Sequence, residues 1–325
     1  MLKRFNVSFR NWVLGTTTLL VGLLTAAFLV TLVGSFARIS EENAITQFSL
    51  IARQASTQLV TLLNGNARFV ATQARADLSQ FAARGEINPH EMVSTFISSL
   101  EADDNSYSHH FGLANDEFLQ VIAIRDDARI RQAIDAPAAA AFAVRRITRT
   151  GSGGRQESWQ FLDGKRRHLA RKDKAAGFSP TSRPWYRAAT QRGNVALTEP
   201  YLFSSTGQLG ITVSTPLPEN AGVLATDLSL HSLQVFLSRL SLSANAAILM
   251  QDDAGRLLAF YGRGPRFAGL SPSALSTADR LDSPYFSFLQ AGNTLGEASV
   301  LQLGDGTRHE KFVVTEHRTE PLGGQ

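Results

Sequence analysis

The chain has 325 residues, of which 43% are hydrophobic and 18% are charged, a balance typical of a globular protein rather than a disordered one. The net charge is +4, but the basic residues are scattered along the chain, so we do not expect a nucleic-acid partner. The absence of cysteine excludes disulfide bonds, thiolate zinc sites and cysteine nucleophiles.

The first predicted element is a transmembrane helix over 12–36, which follows a short cytoplasmic segment over 1–11. No charged residue occurs from Asn11 to Ala37, and about 20 apolar residues suffice to cross a bilayer. Basic residues precede the segment and two glutamates follow it, so the positive-inside rule places the bulk of the chain outside. The alternative is a cleaved signal peptide, but the apolar part of such peptides is shorter, about 7–15 residues. We therefore expect the segment to remain in the mature protein.

A long amphipathic helix is predicted over 37–82 as a continuation of the transmembrane segment. Its apolar residues recur at spacings of three, four and seven, which places them in one stripe. The only weak point is Asn64-Gly65-Asn66, where the helix could kink. A second, shorter helix is predicted to begin at Pro89. The stripe consists of Ala44, Phe48, Ile51, Ala55, Leu59, Leu62, Phe69 and Val70.

From Tyr107 onward the pattern changes to short strands separated by polar or glycine-containing turns. We predict an α+β fold with a mostly antiparallel sheet, not a doubly wound nucleotide-binding fold. A change of composition near Ser243 indicates a boundary between two sheet modules, and we expect the second module to be incomplete. An amphipathic helix is predicted over 231–242. The predicted strands are 107–113, 118–124, 142–148, 158–162, 168–172, 195–203, 209–216, 222–228, 247–251, 256–261, 298–303 and 309–314.

Catalytic motifs are absent from the sequence: there is no His-Glu-x-x-His, no Gly-x-Ser-x-Gly, no phosphate-binding loop and no acidic metal cluster. His109 and His110 are adjacent, and adjacent residues of a strand point to opposite faces, so they cannot bind one metal ion. We expect both to be ordinary strand or surface histidines. The sequence therefore predicts no catalytic residue, no metal and no cofactor.

The segment from Phe178 to Ala189 is the strongest candidate for a binding site. Pro184 is typical of the first turn of a helix, and a helix N-terminus offers free N–H groups and partial positive charge to an anion. Arg183 can bind a carboxylate through two hydrogen bonds, while Trp185 and Tyr186 can line an apolar pocket. The alternative is a structural role, with the aromatic rings in the core and Arg183 in a salt bridge. The residues alone favour neither.

A succession of short motifs follows in the chain: Arg183-x-Trp185-Tyr186, Thr198-Glu199-Pro200-Tyr201, Gln208 to Pro216 and Gly222 to Leu228. This succession resembles the double Cache domain of bacterial chemoreceptors, sensor kinases and nucleotide cyclases. The resemblance covers about residues 38–325 and implies two stacked PAS-like modules supported by the first helix. We expect the membrane-distal, ligand-binding module over 83–242 and the truncated membrane-proximal module over 243–325.

The resemblance also implies which residues bind the ligand. In amino-acid-binding members of the family, an arginine and neighbouring aromatic residues hold the ligand carboxylate, and a later aspartate holds the amine. Two positions depart from that motif, because Phe178 replaces a tyrosine and Phe203 replaces an acidic residue. An ammonium group thereby loses a partner, so we expect a carboxylate to be preferred to a simple amine. The matching positions are Arg183, Trp185, Tyr186, Tyr201 and Asp227.

The implied function is sensing of a small organic ligand, a carboxylate or an amino-acid-like molecule, on the periplasmic side of a bacterial inner membrane. The resemblance further implies a homodimer formed through the long helix and an output domain outside this sequence. We expect Arg183 to pair with Asp227 when no ligand is bound. Two alternatives remain: a membrane-anchored exported hydrolase, and an interaction or scaffold domain that has no pocket behind Arg183 and Tyr201.

Overall fold

The structure is a computed structural model, and its chain divides into two compact units. One unit comprises residues 1–52 and 294–317, and the other comprises residues 53–293 and 318–325. The described residues are 9–75, 89–151, 153–240, 242–252, 254–265, 267, 275, 277, 299–304 and 309–314.

Helix α1 runs from Phe9 to Arg75 without interruption. By length and composition it could cross a membrane near its N-terminus, where the sequence predicts the span. The predicted weak point does not end the helix. There the Asn66 side chain donates to the carbonyl of Leu62 at 3.0 Å and accepts from Ser106 at 2.9 Å. Residues 76–82 lie outside the described residues, so the predicted end of the stalk stays a prediction.

A nine-stranded sheet forms the core of the second unit, and every strand pair in it is antiparallel. The order is β5-β4-β3-β2-β1-β9-β8-β6, and β7 also pairs with β8. This architecture confirms the predicted α+β class. The strands are β1 Ser108–Leu113, β2 Phe118–Ala123, β3 Phe142–Arg149, β4 Arg155–Leu162, β5 His168–Ala175, β6 Ala196–Leu197, β7 Tyr201–Leu202, β8 Leu209–Pro216 and β9 Gly222–Ser229.

Four α-helices besides α1 accompany the sheet within the described part of the chain. Asp127 caps α3 by accepting from the backbone N–H of Arg129 at 2.8 Å, and Ser229 caps α5 by accepting from that of Ser232 at 3.0 Å. α4 begins at a proline, as predicted, and is capped at its C-terminus by Gly193, whose φ of 68° favours glycine. The helices are α2 Pro89–Ala102, α3 Ala128–Ala133, α4 Pro184–Arg192 and α5 Leu230–Ser238.

The two faces of the sheet differ in chemistry. Alternate residues of a strand point to opposite faces, so each strand contributes to both. One face is apolar and belongs to a cluster that includes residues of α1, α2 and α5. The other face carries buried polar side chains between aromatic ones, and α4 packs against it. Members of the apolar cluster include Val70, Phe96, Phe111, Val121, Leu224, Leu228 and Leu233.

Two further antiparallel hairpins occur near the C-terminus, at positions where strands are predicted. In contrast, the strand predicted over 195–203 is two short strands, β6 and β7, interrupted at Pro200, which has no N–H to donate to a sheet. The division into modules at 83–242 and 243–325 stays a prediction. The hairpin strands are β10 Ala247–Gln251, β11 Leu257–Gly262, β12 Ser299–Gly304 and β13 His309–Val314.

Candidate ligand-binding site

Asp227 is a buried carboxyl group at the centre of the polar face, with 2% of its surface exposed. It accepts hydrogen bonds from the hydroxyls of Ser108 at 2.8 Å and Thr212 at 2.6 Å. Both residues are its cross-strand partners, so the register of β9 with β1 and β8 fixes this geometry. Burial raises the pKa of Asp227 to about 7, against the two hydrogen bonds and the positive charge of Arg183, which lower it. The group can therefore exchange a proton near neutral pH.

His110 is a second buried titratable group, and it lies beside Asp227. Its Nδ1 atom is 3.4 Å from a carboxyl oxygen of Asp227, yet neither ring nitrogen makes a hydrogen bond with the described residues. Burial and the positive charge of Arg145 lower the pKa of His110 to about 3, so the ring is neutral and this contact is not an ion pair. The ring packs edge-on against Trp185, with 4.6 Å between the centroids.

His109, the residue before His110 on β1, points to the opposite face of the sheet, as strand alternation predicts. The two ring nitrogens of His109 lie 2.8 Å from the hydroxyl of Thr226 and 3.0 Å from that of Ser99. Both histidines are buried on β1, so of the two expected placements the strand is right and the surface is wrong. His110 also adjoins Asp227, one of the predicted site residues. Within the described residues, no group of three or more histidines, aspartates or glutamates could hold a metal ion.

Arg145 and Glu157 form a buried ion pair on the same face, and sequence reasoning missed both. Nε of Arg145 donates to the carboxylate of Glu157 at 3.0 Å, and the indole N–H of Trp159 donates to it at 2.7 Å. The guanidinium carbon of Arg145 lies 4.4 Å from the ring centroid of Phe178, a cation–π distance. A signal was present, because Arg145 interrupts the apolar positions of a predicted strand, but its partner could not be read from one sequence.

Helix α4 covers this face and is held closely to it. Trp185 and Tyr186 are 2% and 8% exposed. The hydroxyl of Ser214 donates to the backbone carbonyl of Trp185 at 2.9 Å. Gly112 makes room for the contact, since a Cβ atom there would lie 2.5 Å from the Cβ of Pro180 and 3.0 Å from the Trp185 ring.

Arg183 stands at the N-cap of α4 and is partly exposed. Its Nη2 donates to the carbonyl of Leu202 at 3.3 Å, and its guanidinium carbon lies 5.7 Å from the ring centroid of Phe178. The expected pairing with Asp227 is wrong: no ion pair joins these two described residues, and the carboxyl group accepts instead from the Ser108 and Thr212 hydroxyls. The bond to Leu202 is the one side-chain hydrogen bond of Arg183 within the described residues, so most of its N–H groups remain available to another acceptor.

Tyr201 contacts both the polar face of the sheet and a neighbouring aromatic ring, Phe203. Its hydroxyl lies 2.6 Å from that of Thr212, the residue that donates to the buried aspartate. Burial raises the pKa of Tyr201 well above its usual value. Phe203 packs edge-on against Tyr201 at 5.4 Å and stacks on Tyr107 at 5.3 Å. Gly210 accommodates that ring, because a Cβ atom there would lie 2.1 Å from it.

The structure thus places all five predicted site residues on one side of the sheet. Asp227 and Tyr201 are linked through the hydroxyl of Thr212, Trp185 and Tyr186 lie on α4, and Arg183 stands at the edge. Whether these residues bind a ligand stays a prediction.

Residues 154–235 match the model of a known protein family. The matching family model is described as the first PDC sensor domain of methyl-accepting chemotaxis protein-like receptors, and the match runs from β4 into α5. This segment is similar to a PDC-type sensor domain. It contains Arg183, Tyr201 and Asp227, and the match confirms the resemblance to chemoreceptor sensor domains that the motifs indicate.

Curated relatives of the sensor include both a cyclase and chemoreceptors. The chain is 35% identical over 149 residues, 45% of its length, to adenylate cyclase 1 of Rhizobium meliloti (strain 1021). It is 27% identical over 125 residues, 38% of its length, to the methyl-accepting chemotaxis protein PctB of Pseudomonas aeruginosa. The matches cover 22% and 20% of these two relatives, so the chain spans about a fifth of their lengths.

Solved structures agree on the fold of the sensor. The ligand-binding domain of the Campylobacter jejuni chemoreceptor Tlp3, in complex with 4-methylisoleucine, aligns with a TM-score of 0.51 at 13% identity, covering 83% of this chain and 85% of that one. A methyl-accepting chemotaxis protein X aligns with a TM-score of 0.50 at 16% identity, covering 87% and 95%. At such low identity the likeness concerns the fold alone.

Proposed function

We propose that the chain is the extracytoplasmic input part of a membrane receptor, and that the sheet face beneath α4 binds a small organic molecule carrying a carboxylate. The observation that carries the proposal is the arrangement around Asp227. A buried carboxyl group lies under α4 beside a buried histidine, whose ring nitrogens have no hydrogen-bond partner among the described residues. Arg183, with available donors, stands at the N-cap of the same helix, and all these residues except the histidine lie in the segment that matches the PDC sensor model. Residues that only stabilise a core would be expected to satisfy one another.

The ligand carboxylate is assigned to the N-terminus of α4. There Arg183 makes one hydrogen bond to the described part of the chain and has further N–H groups to offer, and the first turn of α4 adds free backbone N–H groups and partial positive charge. Trp185 and Tyr186 are buried in the first turn of the same helix and supply apolar surface beside this contact.

A simple amine fits the site less well than a carboxylate. Asp227 already accepts two hydrogen bonds, and burial favours its neutral form near pH 7. The nearby guanidinium groups of Arg145 and Arg183 repel a cation, and Phe203 brings no charge to balance it. An amino acid remains compatible, because its ammonium group could ionise Asp227 while Arg183 holds its carboxylate.

The remaining parts of the proposal concern the receptor as a whole. We infer that α1 anchors the chain in the inner membrane of a bacterium, with the N-terminus in the cytoplasm and the sheet outside. The long helix is proposed to pair with that of a second copy. A signalling output, such as the cyclase or chemotaxis functions that relatives are named for, is proposed to belong to the full receptor rather than to the sensor segment.

A thermal-shift screen of amino acids, carboxylates and amines on the full chain in lipid nanodiscs tests the proposal. A ligand at 100 times its dissociation constant stabilises the folded state by about 2.7 kcal/mol, which raises the melting temperature measurably. We expect a carboxylate to stabilise the wild type but not the Arg183→Ala or Asp227→Ala variants. Arg187→Ala is the matched control, since Arg187 is exposed on the same helix. The assignment is wrong if no compound stabilises the protein, or if one stabilises all variants equally.

A further inference from the structure

A second group of polar side chains crosses the same sheet face in one row. His110 of β1 pairs with Gln120 of β2, and Gln120 pairs with Arg145 of β3. Cross-strand partners on one face have neighbouring side chains. The three side chains are 2%, 4% and 5% exposed, so this is a buried polar row rather than a solvated surface.

Several atoms of this row lack hydrogen-bond partners among the described residues. Both ring nitrogens of His110 and Oε1 of Gln120 are buried and unbonded, while Nε2 of Gln120 donates to Ser108 at 3.0 Å. Arg145 donates from Nε to Glu157 at 3.0 Å, and its Nη1 is 3.4 Å from the hydroxyl of Ser204, a long contact that a better acceptor could replace. Buried polar groups in native proteins are nearly always hydrogen-bonded, so several unbonded polar atoms in one row indicate that a bound molecule supplies their partners.

The row adjoins the residues assigned to the ligand carboxylate. The ring of His110 contacts Trp185, and Phe178 lies within cation–π distance of the guanidinium groups of both Arg145 and Arg183. A ligand whose carboxylate binds Arg183 would therefore reach the row if its carbon chain extends a few bonds beyond that carboxylate.

We propose that His110, Gln120 and Arg145 form a second polar subsite, which receives a primary carboxamide at the far end of the ligand. This inference rests on the proposed function. The carbonyl of an amide accepts from Arg145, and its NH₂ group donates to Oε1 of Gln120. The neutral His110 ring can donate or accept, so it completes either contact.

Other end groups match the row less well. A carboxylate offers only acceptors, so one of its oxygens would face Oε1 of Gln120, and it would compete with Glu157 for Arg145. An ammonium group would face the guanidinium of Arg145. An aliphatic end would leave every unbonded atom of the row without a partner.

A matched series of ligands tests the subsite by calorimetric titration of the full chain in nanodiscs. The probes are glutaramate, with an amide end, glutarate, with a carboxylate end, and 5-methylhexanoate, with an apolar end of the same shape. Their α-amino counterparts form a parallel series, so the result does not depend on whether an amine is needed. We expect the amide to bind at least about tenfold more tightly than either other member of its series, the discrimination expected when buried polar groups are left unpaired.

Substitutions in the row test whether its side chains cause the preference for the amide. In Gln120→Met and His110→Phe, which conserve side-chain size, the ratio of amide to apolar affinity should fall towards one. Gln160→Met is the matched control: Gln160 lies between Trp159 and Phe161 on β4, hence on the opposite face, and its substitution should keep the ratio. A ratio between two ligands is insensitive to a general loss of stability.

Three outcomes would overturn the inference. They are equal binding of the apolar and amide probes by the wild type, preference for the dicarboxylate, and an unchanged ratio in the Gln120→Met variant. In each of these cases the probes still bind and the proposed function stands. If no probe binds, the subsite is refuted, whereas the proposed function is judged by the broader screen and its Arg183→Ala variant.

Discussion

Replacement of Asp227 by asparagine should change the stability of the sensor in a pH-dependent way. The pKa of Asp227 is about 7 in the folded protein against an ordinary value of 3.8. A raised pKa means that the folded state holds the proton more tightly than the unfolded state. The resulting stabilisation is fully present below about pH 4 and is lost as the pH rises through 7. Asparagine cannot ionise, so the variant lacks this dependence.

The magnitude follows from the size of the shift. About three pK units at about 1.4 kcal/mol each correspond to roughly 4 kcal/mol between pH 4 and pH 8. An amide cannot accept from both the Ser108 and Thr212 hydroxyls as the carboxyl group does, which costs about 1 kcal/mol at every pH. We therefore expect Asp227→Asn to be less stable than the wild type at pH 4 by about 1 kcal/mol, and more stable at pH 8 by about 3 kcal/mol.

Urea unfolding followed by tryptophan fluorescence measures this difference. Trp159 and Trp185 are buried in the sensor, and a Trp12→Phe background removes the signal of the membrane segment. Asp116→Asn is the control. Burial alone would raise the pKa of Asp116, but hydrogen bonds from neighbouring hydroxyls lower it overall, so the stabilisation from the ionised group is already complete above about pH 4. The Asp116→Asn variant should therefore be less stable than the wild type by a constant amount from pH 5 to pH 8. A constant difference between Asp227→Asn and the wild type from pH 4 to pH 8 would refute the reasoning.

Two further predictions concern packing and the membrane anchor. Gly210→Ala should destabilise the sensor by about 1–3 kcal/mol in the same urea assay, because its Cβ would lie 2.1 Å from the Phe203 ring. Gly164→Ala, where a Cβ meets nothing within 4 Å, should change stability little. The segment 13–36 should remain in the mature protein, so mass spectrometry of the membrane fraction should find it. A mature N-terminus at Arg38 would contradict this.

The positions of most strands along the chain were predictable from the sequence, because each strand has its own period-two pattern and is bounded by its own turn. Strand pairing was not predictable, since it depends on which strands become neighbours. Arg145 and Glu157 lie on separately predicted strands, and only the register of β3 with β4 explains why the two charges are buried together. The short helix α3 was missed because six residues hold too little periodic signal, although Asp127 caps it.

The candidate site shows the same division between local and long-range information. Arg183, at the start of α4, followed from the local pattern of Arg-Pro-Trp-Tyr, whereas Asp227 was identified through family resemblance. The sequence placed these two in an ion pair because a buried carboxylate needs a partner. The structure provides hydroxyl donors from neighbouring strands instead, and those donors become visible only once β9 is known to lie between β1 and β8.

The central claim is that a small carboxylate-bearing molecule binds beneath α4, and ¹⁹F NMR of the full chain labelled with fluorotryptophan tests it most directly. The three tryptophans report on separate places: Trp12 in the membrane segment, Trp159 beside Arg145, and Trp185 over His110. The best compound from the thermal screen should shift the Trp185 resonance saturably and leave that of Trp12 unchanged. A compound that stabilises the protein without moving the Trp185 resonance would contradict the account.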